Sequence, residues 1–256
     1  MNQHNETEMT GSGLEGQHSI ATSVILHLLP GALIVAAFVF IGIPASTAAG
    51  YPTLFGFLIA CLLVLVPFEL GLLLFLGRKK NGKLSLAGVL RFTGRTSYPM
   101  LALFVFLLFT WAFLVVVVLG SIDSYLRDMV FAWVPGWFEL TGFSPIKYSP
   151  ALFNVATLVN LAAFGVALPL IEELYFRGFL LPRMRSFGKA APFANSLLFC
   201  LYHMWSPWQA VTRFLFVTPM IWLVWKRRSI DIGIWAHCFM NSFGIVLTYV
   251  TLMGGL

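Results

Sequence analysis

The chain has 256 residues, of which 59% are hydrophobic and 10% are charged, and its net charge is +6. Because a water-soluble domain carries about 25% charged residues, this composition excludes a soluble globular protein and predicts an integral membrane protein. The basic residues lie in short clusters between apolar segments, which indicates the positive-inside bias of membrane proteins and argues against nucleic-acid binding.

Residues 1–22 precede the first apolar segment and form a polar stretch. It contains Glu6, Glu8 and Glu15 but no lysine or arginine. A segment with so little apolar surface cannot offset the entropy lost on folding. We therefore predict a disordered cytoplasmic tail over residues 1–22.

Seven apolar segments follow, and a membrane-spanning helix needs about 20 mostly apolar residues. The predicted spans are Ser23–Ile43, Leu54–Leu76, Tyr98–Leu119, Ala151–Leu181, Ala190–Trp205, Pro207–Trp225 and Ile230–Leu252. The fifth of these is the shortest. The pattern predicts an all-α polytopic membrane protein, a helical bundle of about seven transmembrane helices.

The segment between the third and fourth predicted spans, residues 121–150, carries aromatic side chains outside any long apolar run. Trp133, Trp137 and Phe138 are of the kind that lies at a membrane interface. We predict an interfacial linker here.

Basic residues between the predicted spans determine the predicted orientation. They are Arg78, Lys79, Lys80, Lys83, Arg91 and Arg95, then Arg183, Arg185 and Lys189, then Lys226, Arg227 and Arg228. If the helices alternate in direction, all three clusters lie on one side, which the positive-inside rule assigns to the cytoplasm. This predicts a multi-pass protein of the cell or inner membrane with a cytoplasmic N-terminus. Because these linkers flank the later helices, they also favour substrate entry from the cytoplasmic side.

Ionisable residues inside the predicted spans are costly in lipid and are candidate functional residues. They are Glu69, Glu172, Glu173, Arg177, His203, Arg213 and His237. Glu69 and Arg213 lie at compatible distances from the basic clusters, which predicts a buried ion pair between the second and sixth helices.

The other five residues belong to short patterns. Glu173 and Arg177 stand four residues apart and share a helix face, whereas Glu172 points about 100° away. In the same way Phe199 shares a face with His203, and His237 shares one with Asn241.

Distances along the helices place three of these groups at similar depth. Glu172, His203 and His237 lie about 16, 21 and 14 Å from their nearest basic clusters, at about 1.5 Å per residue. The half-thickness of the hydrocarbon core is about 15 Å. The sequence therefore brings one carboxylate and two imidazoles towards the midplane.

The three patterns, EExxxR, FxxxH and HxxxN in that order, resemble those of the CAAX protease and bacteriocin-processing (CPBP) intramembrane proteases, the relatives of type II CAAX endopeptidases. The resemblance covers about residues 151–245. It implies a CPBP-like catalytic region over residues 151–256, preceded by N-terminal transmembrane helices and the interfacial linker over residues 23–150. It also implies an endopeptidase that cleaves a hydrophobic or lipidated peptide or protein, with CAAX-type ends as the family-level substrate and membrane lipids as surroundings.

The resemblance assigns roles to individual residues of this chain. Glu172 and His203 would activate a water molecule, and His237 and Asn241 would stabilise the oxyanion, with Glu173 and Arg177 in support. A carboxylate general base and preorganised donors are chemically suited to peptide hydrolysis.

A metal-dependent reaction is the alternative within the same family. Glu172, His203 and His237 would make a two-histidine, one-glutamate zinc set with an open position. The sequence gives no firm metal or other cofactor, and we favour water activation without a bound metal.

Other functions and simpler roles stay open at this stage. Charges at mid-depth also mark transporters and channels, and the same fold would serve a non-catalytic immunity or scaffold protein. Glu172 and Glu173 would be ordinary surface charges if the fourth helix ended near Leu170, and the histidines would then form core hydrogen bonds or join helices. Cys200 and Cys238 lie near histidines, but small buried cysteines are usually packing residues.

Overall fold

The computed structural model describes residues 14, 16–138 and 148–254, which fold into seven helices joined by loops and short turns. The helices are α1 Ile20–Ala48, α2 Thr53–Asn81, α3 Tyr98–Val130, α4 Pro150–Arg183, α5 Ala191–Tyr202, α6 Ala210–Arg227 and α7 Ile230–Gly254. Short 3₁₀ turns lie at Gly136–Phe138, Arg185–Ala190 and Pro207–Gln209. The predicted all-α polytopic fold is confirmed.

Five of the seven helices, α1 to α4 and α7, are long and apolar enough to cross a membrane. The two others differ from the predicted spans. Helix α5 has 12 residues, a length of about 18 Å against the roughly 30 Å hydrocarbon core. Helix α6 has 18 residues but carries Arg213, Lys226 and Arg227, so its composition is less apolar than that of a typical span.

The N-terminal boundary differs from the predicted one. Helix α1 begins at Ile20, where the Ser19 hydroxyl accepts a hydrogen bond from the Thr22 backbone N–H at 3.1 Å. Just before it, His18 is buried and its backbone N–H donates to the Arg183 carbonyl at 2.9 Å. The end of the predicted tail thus packs against the end of α4, whereas residues 1–13 and 15 lie outside the described part of the chain.

The segment predicted as an interfacial linker begins later in the chain than expected. Helix α3 continues to Val130, 11 residues beyond the predicted end at Leu119. Trp133 is exposed, but residues 139–147 and the side chain of Trp137 lie outside the described residues. The interfacial role of this segment stays a prediction.

Helix α4 is not a regular α-helix along its length. π-Helical stretches at Leu161–Ala167 and Glu173–Leu180 flank a short α-helical stretch, Leu168–Glu172. A π-helical turn inserts a residue, frees backbone groups and is frequent at functional sites. The first two ionisable residues of α4 therefore stand at the junction between regular and π-helical backbone.

Close contact between α1 and the end of α5 depends on a glycine. A Cβ atom added at Gly31 would overlap the backbone carbonyl oxygen of Tyr202. Only glycine permits this approach, which fixes the end of α5 against α1. His203 is the next residue, so this contact also positions one of the candidate site residues.

Candidate active site

Glu172 projects from α4 into the centre of the bundle and is 7% exposed. Its Oε1 accepts a hydrogen bond from the Tyr202 hydroxyl at 3.2 Å. Its Oε2 lies 3.9 Å from Nε2 of His237. The carboxylate is therefore oriented by α5 and faces the imidazole of α7.

His237 is held by the second glutamate. Its Nδ1 lies 2.9 Å from Glu173 Oε1, and because a carboxylate only accepts, Nδ1 carries the proton of this bond. The same oxygen lies 3.1 Å from a terminal nitrogen of Arg177, and the side chains of both members of this ion pair are fully buried. The guanidinium also stacks on Phe199, 3.9 Å from the ring centroid. The expected contact between Glu173 and Arg177 is thus present and extends to His237.

Gly233, one turn before His237 on α7, leaves room for this arrangement. A Cβ atom added there would overlap Glu173 Oε2. Any side chain at this position would displace the carboxylate that holds the imidazole. Nothing in the three sequence patterns pointed to this glycine.

His203 lies immediately after α5, where the backbone leaves the helical conformation at φ −77° and ψ 55°. Its Nδ1 donates to the Phe199 carbonyl at 2.8 Å, which leaves the lone pair of Nε2 available as an acceptor. The ring packs against Phe199, Tyr202 and Trp205, with centroids 4.7 to 4.9 Å apart. Aromatic packing and one hydrogen bond therefore fix the imidazole.

Asn241 is oriented by an unusual feature of α4. Its Nδ2 donates to the Phe164 carbonyl at 3.1 Å. In a π-helix this carbonyl would accept a hydrogen bond from the backbone N–H five residues later, but that residue is Pro169, which has no N–H. The proline therefore frees a carbonyl that α7 uses, and the second N–H of the Asn241 amide remains for another acceptor.

The four predicted catalytic residues line one cavity of about 370 Å³. Glu172 reaches it from α4, His203 from the end of α5, and His237 and Asn241 from α7. Leu54, Phe57 and Cys61 of α2 and Phe216 of α6 close the other walls. Their catalytic roles stay predictions, but all four side chains face the same space.

Arg213 also lines this cavity, in a role that differs from the predicted one. Its NH2 donates to Ser206 Oγ at 2.8 Å and to Gln209 Oε1 at 2.9 Å. Glu69 is fully buried, and neither of its carboxylate oxygens has a hydrogen-bond partner among the described residues. The predicted Glu69–Arg213 ion pair is therefore wrong. Arg213 lies in the first turn of α6, so Ser206 and Gln209 of the preceding segment are within hydrogen-bond distance of its guanidinium group.

Donor atoms of the kind that bind a metal ion are present in the site. Both imidazoles donate from Nδ1, to Glu173 and to the Phe199 carbonyl, which leaves both Nε2 atoms as ligands. Across the described residues, however, no three His, Cys, Asp or Glu side chains are grouped closely enough to hold an ion. As placed, these side chains do not form a grouped ligand set, and the metal-dependent alternative stays a prediction.

The cysteines near the site make packing contacts. Cys200 is buried, and Cys238 lies with its Sγ 3.6 Å from the Val166 carbonyl. Within the described part of the chain, neither thiol is hydrogen-bonded to a histidine. This arrangement favours the packing role over a cysteine–histidine dyad.

Residues 154–243 match the family model "Type II CAAX prenyl endopeptidase Rce1-like". The resemblance predicted from the three patterns is confirmed. The matched segment is about a third of the chain and runs from α4 to α7, so it contains every predicted site residue. Comparisons with curated proteins and with solved structures gave no match. With five candidate spans, the match supports an integral membrane protein and, in general terms, an intramembrane protease.

Proposed function

We propose that the protein is an intramembrane endopeptidase in which Glu172 and His203 activate the water that attacks a peptide carbonyl. The observation that carries this proposal is the single cavity lined by Glu172, His203, His237 and Asn241. Separate faces for these side chains would have left no common place for a substrate. Their convergence gives a nucleophile-activating pair and two candidate donors the same space.

The hydrogen bonds of the first pair suit water activation. His203 Nδ1–H is engaged by a backbone carbonyl, so Nε2 can accept a hydrogen bond from water. Glu172 accepts the water proton as its oxygen attacks the substrate carbonyl. The protonated carboxyl group then returns this proton to the leaving amine as the tetrahedral intermediate collapses to an acid and an amine.

The oxyanion of that intermediate needs donors. The second amide N–H of Asn241 is one, since only the first is used by the Phe164 carbonyl. His237 donates from Nε2 only as an imidazolium, because its Nδ1–H is held by Glu173. The carboxylates of Glu172 and Glu173 supply the counter-charge for that form. Removing one such donor typically lowers kcat by about 10² to 10³.

The substrate of the proposed reaction is a hydrophobic or lipidated peptide or protein held at the membrane. A CAAX-type end is the class that the family description names. We place the protein in the cell or inner membrane with its N-terminus in the cytoplasm, on the basis of the three basic clusters.

The test uses purified protein in lipid nanodiscs with hydrophobic-tailed and lipid-anchored peptides. We expect cleavage by the parent protein and a loss of at least about 10³-fold for Glu172→Gln and His203→Ala. Asp128→Asn is the matched control, because this carboxylate is exposed near the end of α3 and does not line the cavity. Thermal unfolding of each variant separates loss of chemistry from loss of fold.

Three outcomes would contradict the proposal or its metal-free mechanism. Full activity in Glu172→Gln would show that the Glu172 carboxylate takes no part in the reaction. Solute flux into liposomes that survives Glu172→Gln, without any cleavage, would favour a transporter or channel. Loss of activity with a chelator and its return with zinc would favour the metal-dependent alternative.

A further inference from the structure

A second cavity of about 690 Å³ adjoins the active-site cavity. The two share the lining residues Asn160, Phe164 and Asn241. The second cavity lies between α3, α4 and α7. A substrate that occupies the second cavity therefore passes directly beside the proposed catalytic residues.

Both cavities extend away from the basic end of the bundle. Asn160 precedes Arg183 by 23 residues and Leu54 precedes Arg78 by 24 residues, which corresponds to about 35 Å along each helix. Glu172 lies only about 16 Å from Arg183 on the same scale. Because the hydrocarbon core is about 30 Å thick, the far ends of the cavities reach the opposite membrane surface.

The other direction, from Glu172 towards the basic end, is filled with side chains. The next turns of α4 present fully buried residues, each with 0% exposure, namely Glu173, Tyr175, Phe176, Arg177, Phe179 and Leu180. No lining residue of the active-site cavity belongs to this group. Solid packing thus separates the site from the basic face.

Two chain segments cover this packed region from outside. In the loop between α2 and α3, the Arg91 backbone N–H donates to the Gly178 carbonyl at 2.8 Å, and the Phe92 carbonyl accepts from Ile230 N–H at 2.9 Å. Before α1, the His18 backbone N–H donates to the Arg183 carbonyl. Backbone hydrogen bonds therefore close the basic end over the packed side chains.

The lining of the second cavity mixes polar and apolar groups. The polar members are Thr157, Asn160, Gln209, Asn241, Thr248 and Tyr249. Apolar members from the same helices lie between them, among them Val116, Phe153 and Ile245. Hydrogen-bonding groups interleaved with apolar surface suit an extended peptide, whose backbone amides need partners, better than a bare hydrocarbon chain.

We propose that the substrate reaches the site from the membrane face opposite the basic clusters, with an extended peptide segment lying in the second cavity. Under the positive-inside rule this is the non-cytoplasmic face. The inference rests on the proposed function for the identity of the ligand, and it reverses the cytoplasmic entry favoured by the positions of the linkers. Among the hydrophobic or lipidated substrates of the proposed function, this route selects membrane-associated proteins that present a peptide outside the cytoplasm. It excludes a CAAX-type end that is held on the cytoplasmic side.

Thiol labelling tests the route without any need for catalysis. Cys61, Cys200 and Cys238 are replaced by alanine in the full chain, and Asn160→Cys is introduced at the junction of the cavities. Lys189→Cys, an exposed position in the linker after α4, is the control for the basic face. A membrane-impermeant sulfonated maleimide is added to intact spheroplasts and, separately, to inverted membrane vesicles.

We expect Asn160→Cys to be labelled at least 10-fold faster in spheroplasts than in inverted vesicles, and Lys189→Cys to show the reverse. Labelling of both positions from the same side overturns the proposal, as does absence of labelling at Asn160→Cys from either side. Thr157→Cys, at another lining position of the second cavity, replaces Asn160→Cys if that variant fails to fold. If the parent protein shows no peptidase activity while the variants show the expected labelling, the proposed function is refuted and the route is supported.

Discussion

Replacing Gly233 with alanine tests the link between α7 packing and the proposed chemistry. The added Cβ would overlap Glu173 Oε2, so the carboxylate must move by about 1 Å to regain ordinary contact distance. The displaced group is the one that holds His237 Nδ1 at 2.9 Å. A misplacement of about 1 Å can lower a rate by about 10²-fold, and overpacking costs about 1–3 kcal/mol of stability.

The assay measures peptide cleavage and thermal unfolding for Gly233→Ala beside Gly244→Ala. Gly244 lies on the same helix, and a Cβ added there meets nothing within 4 Å. We expect Gly244→Ala to match the parent protein in both measurements. If Gly233→Ala were as active and as stable as Gly244→Ala, Glu173 would not need its observed position, and its role in orienting His237 would be refuted.

Three further predictions concern the surroundings of the catalytic set. Tyr202→Phe removes the hydroxyl 3.2 Å from the catalytic carboxylate. We expect kcat to fall about 2- to 30-fold, in line with about 0.5–2 kcal/mol for one such bond, and an unchanged kcat would show that this hydroxyl does not support catalysis. Arg177→Met leaves a fully buried carboxylate without its ion-pair partner, so we expect a loss of about 3–5 kcal/mol in unfolding free energy. Adding Glu173→Gln should restore most of that stability without restoring activity, and failure of this rescue would contradict the pairing. Pro169→Ala supplies an N–H for the carbonyl that now accepts from Asn241; we expect lower kcat without lower thermal stability, and parent-like kcat would show that this hydrogen bond does not orient the amide.

Features that depend on hydropathy and helical spacing were predictable from the sequence. The length of apolar segments gave the positions of the five long helices, because a lipid-exposed helix must be apolar over most of its length. The four-residue spacing of Glu173 and Arg177 gave their contact, because such residues share a helix face. Distances along the helix also brought Glu172, His203 and His237 to one level, and they line one cavity.

Features that depend on rotation about a helix axis were not predictable in the same way. Glu69 and Arg213 lie at compatible depths, yet Arg213 donates to Ser206 and the Glu69 oxygens have no hydrogen-bond partner among the described residues. Depth does not fix the direction in which a side chain points. The π-helical stretches of α4 add to this difficulty, because each inserted residue rotates all later side chains by about 100° relative to a regular helix.

Two of the residues that the sequence patterns missed act by lacking an atom. Pro169 has no N–H, so the Phe164 carbonyl is left for Asn241. Gly233 has no Cβ, so the Glu173 carboxylate can lie against α7 beside His237. A pattern search looks for groups that carry chemistry and does not register missing ones. In this bundle the proposed donors depend on both omissions, because a backbone N–H at the first position or a methyl group at the second would change what Asn241 and His237 contact.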